Sequence, residues 1–417
     1  MARIRVLPQT LINQIAAGEV VVNMASVVKE LVENALDAGA RHVDVEIGNN
    51  VRDLTVVDDG GGMSRDDAEL ALQRHATSKI ATSEDLFRLK TRGFRGEAVP
   101  SIASVSRMEI QTRPAEDLSG TRVVVEGGRI ETIEGTGCPT GTRLVVRDLF
   151  FNTPARLKFL KSTIAETNAI MRTVTRQALA AHDVGFRVAK DGATTLELPA
   201  GQSLADRFLS IAGSRIDHGL LPLDFERDGV HVTGYLAHPL SSRGDRRSQY
   251  LFVNRRPFSA KPLSAAIEQA CKGFIHVGRF PMFCVMIDVP GELVDFNVHP
   301  TKEEVRFRNE RSVAGACYHA ARGALEAAGY VPDVKLDEER KDQATGSPSP
   351  MEKKEEVERQ FPGFFAPGAQ PSPMQLVNRA FEKKRAREVQ TDWAAEAERR
   401  LSHQTSAPEY APAVSVA

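Results

Sequence analysis

Between residues 29 and 40 the chain reads KELVENALDAGA, and the spacing of its polar residues marks the first place where chemistry could sit. On a helix turning ~100° per residue, Glu30, Glu33, Asn34 and Asp37 gather on one face, while Val28, Leu31, Val32 and Ala35 share the other. Carboxylates three and four residues apart repel by roughly 0.2–0.5 kcal/mol per pair. The stripe is therefore either a solvated face or a site where something offsets that repulsion. Carboxylates serve as general bases and oxygen ligands suit hard divalent cations, so these residue types allow both chemistries. Three glycine-rich segments follow. VVDDGGGMS at 56–64 ends a predicted strand in a carboxylate and a turn, TRGFRGEAVPS at 91–101 reads as a loop opening a helix, and GCPTGTRLVV at 137–146 as a turn into a strand. Glycines after strands mostly form turns, so none of the three decides anything alone. The GxxxxGK-Ser/Thr pattern of a P-loop is absent.

These residues need a scaffold, and 417 residues leave room for two or three domains. A composition of 41% hydrophobic and 26% charged residues is that of an ordinary globular protein. The N-terminal sequence lacks the continuous apolar core of a signal peptide and no run of ~18 apolar residues occurs, which predicts a cytoplasmic protein. Cys138, Cys271, Cys284 and Cys317 lack CxxC spacing and read as buried thiols. RHVDVEIG and LTVVDD predict strands, DDAELALQRHATSK a helix, and TRVVVEGGRIETIEG a strand pair leading to the strand and helix of GTRLVVRDLFFNTPARLKFLK. A second block from about residue 210 has strands in VHVTGYLAHP, SQYLFVNRRPF and FCVMIDVP and helices in LSAAIEQACKGF and RSVAGACYHAARGALEAAG. Beyond Pro332 the composition turns to charge, Pro and Ser, as in a linker, with one charged helix expected within 376–401.

Taken in order, a helix with Glu and Asn four apart, then DxGxG, GFRGEA and GT entering a strand is similar to the GHKL nucleotide-binding fold. NQIAAGEVV, ASVVKELVEN, DAGA, RHATSK, GFRGEA, SIASVS, LFFNTPAR, KFL and NVHPTKEEVRF narrow this, because over residues 3–330 they resemble MutL-type DNA mismatch repair proteins. The resemblance implies an α+β fold: a GHKL (Bergerat-type) ATPase sandwich of helices on a mixed sheet over 1–209, then a ribosomal-S5-like α+β transducer and DNA-contacting domain over 210–330; the tail over 331–417 shares none of it and reads from its composition as a flexible, disordered linker. The resemblance also implies ATP and Mg²⁺ as cofactors. Glu30 would position and deprotonate the water that attacks the γ-phosphate, Asn34 would be the magnesium ligand, and Lys302 would reach the γ-phosphate from the second domain. The acidic stripe then tolerates its repulsion because a hydrated cation sits against part of it; Glu33 and Asp37 read as solvated or hydrogen-bonded. Asp58 would accept from the adenine amino group, with Gly60 and Gly62 allowing close approach and Thr142 completing the pocket. Residues 74–98 would form a lid, with Thr77, Ser78, Gly93, Arg95 and Gly96 at the phosphates.

The chain departs from the family pattern at Val22, Asn23 and Met24, at Asp59, where the family commonly has Asn, and at Pro100, which falls near a helix's first turn. These changes concern the pocket rim, charge near the phosphates and lid closure. For DNA the predicted patch is Arg243, Arg246, Arg247, Arg255, Arg256 and Lys261, a sequence-independent, salt-sensitive contact with a solvated loop as the competing reading. The family implies a slow ATP-gated clamp, an ATP-dependent N-terminal dimer, and partners of three kinds: a MutS-type mismatch-recognition protein, DNA, and a downstream helicase or nicking endonuclease. Localisation would be cytoplasmic, at the nucleoid during repair. The rival readings are a topoisomerase subunit or chaperone of the same fold, and a nucleotide-sensing scaffold without useful turnover. KDQATG in the tail lacks the His and spaced acids of a nicking site, which predicts no endonuclease activity for this polypeptide.

Overall fold

The computed structural model describes residues 17–18, 20–48, 50–79, 92–93, 96–295 and 305–330. All of them fall within one compact unit, Met1–Asp333. The helix α1 (Met24–Asp37) begins where Asn23 accepts the Ser26 N–H at 2.9 Å and the Ser26 hydroxyl accepts the Asn23 N–H at 3.2 Å. This reciprocal cap satisfies two backbone donors that a helix start otherwise leaves open. One of the departures from the family pattern therefore has a structural job: Asn23 sets the start of the helix that carries Glu30 and Asn34.

An eight-stranded sheet, in the order β5-β4-β3-β6-β2-β1-β7-β8, forms the first layer. Its strands are β1 (His42–Ile47), β2 (Leu54–Asp58), β3 (Arg107–Arg113), β4 (Gly120–Glu126), β5 (Arg129–Thr136), β6 (Gly141–Arg147), β7 (Gly185–Lys190) and β8 (Ala193–Leu198). Every neighbouring pair is antiparallel except β1 with β7. Between them run the short α2 (Arg65–Leu70), α3 (Ala98–Ser104) and α4 (Pro154–Leu157), and the long α5 (Thr163–Ala180). Val28, Leu31 and Val32 of α1 and Ile170, Val174 and Ala178 of α5 share one core with β1–β3.

Two elements differ from the predicted ones. The expected helix over DDAELALQRHATSK stops at Leu70, with only Ala68 of it buried, and the left-handed φ of 64° at His75 bars any helix from running through the RHATSK string. The helix α5 lies beyond the predicted NTPARLKFLK helix, which shrinks to the single turn α4.

After α6 (Leu204–Ala212) a five-stranded sheet follows in the order β12-β11-β13-β10-β9, where β9 is Leu220–Arg227, β10 Val230–Ala237, β11 Gln249–Val253, β12 Arg256–Phe258 and β13 Phe283–Asp288. The helices α7 (Lys261–Ala270) and α8 (Glu310–Ala327) cover one face. Leu179 and Ala180 of α5 pack with Phe208, Phe252 and Cys284 on the other. One helix thus contributes to both cores. A two-residue pair, β14 (Val294–Asp295) with β15 (Arg306–Phe307), completes the described strands. Cys271, Cys284 and Cys317 are buried free thiols as expected, whereas Cys138 is half-buried. The tail helix and KDQATG lie outside the described residues.

Candidate active site

Asp58 ends β2 and is nearly buried. It lies across from Thr142 on β6, accepts the Gly60 N–H at 2.9 Å and is also bonded by the Thr142 backbone. Burial pushes its pKa up to about 6, against the pull of those two bonds. The carboxylate is thus short of solvation and suited to a donor arriving from a ligand. The Thr142 and Thr112 hydroxyls lie 3.0 Å apart, and Thr112 accepts the Met63 N–H at 2.9 Å. Glycine is required at two positions here. A Cβ on Gly141 (φ +113°) would lie 2.1 Å from the Asp58 carbonyl oxygen, and one on Gly62 (φ +68°) would lie 2.2 Å from that of Arg113.

Asp59 points away from this pocket. It accepts the Arg41 and His42 N–H groups at 2.6 and 2.8 Å and meets His42 Nδ1 at 2.8 Å. Slight burial acts upward on its pKa, and the bonds from His42 and Arg41 outweigh that and hold the carboxylate below its usual range. The second carboxylate is thus committed to the Arg41–His42 backbone, though its charge still adds to burial in raising the Asp58 pKa.

On α1 the polar stripe is not a solvated face. Glu33 is buried, and Lys29 Nζ bridges Glu30 at 3.1 Å and Glu33 at 3.3 Å. Burial acts to lower the Lys29 pKa, and the two carboxylates more than offset it, raising it above the ordinary lysine value. One turn on, the Lys79 ammonium sits 3.0 Å from Asn34 Oδ1 and 2.6 Å from Asp37 Oδ2. A neutral oxygen and a carboxylate oxygen here converge on a cation, which is the donor set a hard divalent ion takes. Asp37 does more: it accepts the Arg92 N–H at 2.9 Å and the Gly93 N–H at 3.0 Å.

Two stretches of the predicted lid, at Lys79 and at Arg92–Gly93, are thereby brought to α1. The Lys79 N–H donates to Thr77 Oγ1 at 3.2 Å, next to Ser78, and a Cβ on Gly96 (φ +60°) would lie 2.2 Å from the Ala76 carbonyl oxygen. Pro100 is the third residue of α3, where the missing N–H would have had no intrahelical acceptor. Arg95 and Lys302 lie outside the described residues.

The comparisons with known proteins fit this geometry. Residues 22–127 match the family described as histidine kinase-, DNA gyrase B- and HSP90-like ATPase, and residues 208–326 match that described as DNA mismatch repair protein, C-terminal domain. The DNA mismatch repair protein MutL of Symbiobacterium thermophilum is 47% identical over 370 residues, covering 88% of this chain and 57% of that protein. That of Geobacter sulfurreducens is 49% identical over 326 residues, covering 78% and 53%. The chain belongs to the MutL family. It spans little more than half the length of these curated relatives. Among solved structures, the ATPase domain of Aquifex aeolicus MutL, a mismatch repair endonuclease, is similar at a TM-score of 0.54 and 26% identity, covering 72% of this chain and 99% of that one. The N-terminal domain of a DNA repair protein shares the fold at a TM-score of 0.64 and 23% identity, covering 76% and 98%. The chain thus carries a mixed α/β ATPase domain of the GHKL type, and the topoisomerase and chaperone readings are not favoured.

The six cations predicted for DNA stand in different surroundings. Arg246 is held by Glu268 through two bonds, 2.7 and 3.0 Å, and lies over the Phe280 ring at 3.9 Å. Arg247 is exposed beside Asp245 at 3.7 Å, Arg243 pairs by its backbone with Phe280, and Lys261 opens α7. Arg255 and Arg256 instead stand at the β11–β12 turn. Arg256 is half-buried and lies in the field of Glu33 and Asp37, while Arg255 lines a cleft of about 620 Å³ with Arg41, His42, Arg92 and Asp183. Sequence reasoning also missed the site residues Lys79, Arg92 and Gln177. The RHATSK string marked Lys79, but no periodicity pointed to the other two.

Proposed function

We propose that this chain binds ATP with a divalent cation and hydrolyses it slowly, as the nucleotide-gated part of a mismatch repair clamp. The observation that carries the reading is the pairing of a buried Asp58 acceptor with the cation-accepting oxygens of Asn34 and Asp37. Asp58 would accept from the adenine amino group, which distinguishes adenine from guanine, whose six-position is an acceptor. A magnesium ion, when bound with the triphosphate, would neutralise charge developing on its oxygens. Glu30 would orient the attacking water and take its proton, with Lys29 holding the carboxylate in place at 3.1 Å. Gly93 and Gly96 leave room beside the phosphates, and Lys302 and Arg95 belong to the same reading through the family resemblance.

Glu30→Ala is expected to lower steady-state turnover by roughly 10²–10⁴-fold, the range of a lost general base, while ATP binding measured by calorimetry persists. Unchanged turnover would remove Glu30 from its role. The scaffold reading draws on one observation, the Lys29–Glu30 ion pair, which competes with water for the base. Lys29→Met separates the two: turnover falls but stays measurable if the pair holds a working base in place, and is absent before and after the change in a scaffold. ATP binding would pair two N-terminal regions and pass the state of the nucleotide to a MutS-type partner, DNA and a downstream helicase or nicking endonuclease in the cytoplasm. Sedimentation with and without a non-hydrolysable ATP analogue checks the pairing.

A further inference from the structure

Gln177 of α5 is buried between the helix that carries Glu30 and Arg92, and both ends of its amide are used. Its nitrogen donates to Glu33 Oε1 at 2.9 Å, and its oxygen accepts from Arg92 Nη1 at 2.6 Å. The partners fix the amide's orientation, because a carboxylate only accepts and a guanidinium only donates. Arg92 in turn gives its backbone N–H to Asp37, beside the N–H of Gly93. Burial acts to lower the Arg92 pKa, Glu33 and Asp37 counter it, and Arg255 and Arg256 of the β11–β12 turn act with burial. The preceding residue, Arg176, reaches Ser259 just past β12 at 3.0 Å.

We infer that Gln177 is a positioning residue for triphosphate binding: it sets the Arg92–Gly93 backbone against α1 and, through α5, ties that setting to the second sheet. The inference rests on the ATP reading above. A glutamate here would place a second carboxylate against Glu33. An apolar side chain would leave the Glu33 oxygen and the Arg92 donor facing it without this link. Gly93 is among the residues proposed to meet the phosphates, whereas the adenine end is fixed by β2 and β6. Loss of the link should therefore be felt by ATP more than by ADP.

The experiment uses the full chain carrying Gln177→Met, Arg92→Ala or both, and reads KM and kcat for ATP together with the affinities for ATP and ADP in magnesium. Each single change is expected to raise KM for ATP about tenfold, the scale of one charge-assisted hydrogen bond. It should leave kcat and ADP affinity within about threefold, and the double variant should be no worse than the worse single one, since both break the same relay. Equal losses for ATP and ADP, additive losses, or no loss would each overturn the inference. If Gln177→Met does not fold, Arg92→Ala at a half-buried residue carries the same KM expectation by itself. Wild-type protein that binds neither nucleotide would overturn the ATP reading instead, so the two failures are distinguishable.

Discussion

Asp58 is subject to two conflicting demands, because the burial that suits it to a ligand donor also penalises its charge in the unliganded protein. Its folded pKa of about 6 lies above the ordinary 3.8, so between those values the folded chain binds more protons than the unfolded one. Stability should therefore fall as pH rises through that window and stay at the lower level above it, by about 3 kcal/mol in all. ATP affinity should run the other way, rising through pH 6 and then levelling, since a ligand donor favours the ionised form. Asp58→Asn is expected to raise the thermal midpoint of unliganded protein at neutral pH and to weaken ATP binding; a lowered midpoint with intact binding would contradict this account. Arg255 is a second strained residue. With Asn254 it forms a two-residue hairpin turn at φ +47° and +61°. Asn tolerates such a conformation and Arg does not. Arg255→Gly should stabilise the chain by about 1 kcal/mol in chemical denaturation, and a destabilised variant would show that the arginine's contacts at the cleft outweigh its strain.

At the scale of elements, α5 is the piece on which both cores depend, and a single buried guanidinium fastens its C-terminal end. Arg207 of α6 is fully buried and donates to the carbonyls of Ala178, His182, Val184 and Pro199 at 2.7–3.1 Å and to Gln202 Oε1 at 2.5 Å. Burial draws its pKa down to about 10, which still leaves it charged. Arg207→Met should cost about 3–5 kcal/mol, because several buried carbonyls lose a donor together, as read by urea unfolding. Pro100→Ala at the third residue of α3 should change stability by less than about 1 kcal/mol, since no hydrogen bond is gained within the helix.

The same helix shows why part of the fold was hidden in the sequence. The single apolar stripe of α1 and the period-two strands were legible because each faces one core. TIAETNAIMRTVTRQALA serves two cores and a polar relay, so its apolar residues spread around the helix and leave no single stripe. The expected roles of Glu30, Asn34, Asp58 and Thr142 come from motif strings. The roles of Asp37 and Gln177 depend on partners 55 and 144 residues away in the chain, which no local pattern encodes.

For the whole molecule, a net charge of −1 gives no general attraction to nucleic acid, so any contact with DNA depends on which cations are free to meet phosphates. An arginine committed to a carboxylate by two bonds must give up that pairing before it can release counterions from DNA. Arg246 is in that position, on Glu268 and the Phe280 ring. Arg247 is not, because its pairing with Asp245 at 3.7 Å is exposed, and exposed pairs are worth little. If this face contacts the DNA backbone, Arg247→Ala should reduce the slope of log affinity against log salt by about 0.9, the value of one phosphate contact. Arg246→Ala should leave the slope near that of the wild type and lower stability instead, through the Glu268 carboxylate it leaves behind. Fluorescence anisotropy with duplexes of unrelated sequence at a series of salt concentrations measures both slopes. Equal slope changes for the two variants would show that the Arg246–Glu268 pairing opens on DNA, and no change for either would place the DNA contact elsewhere on the chain.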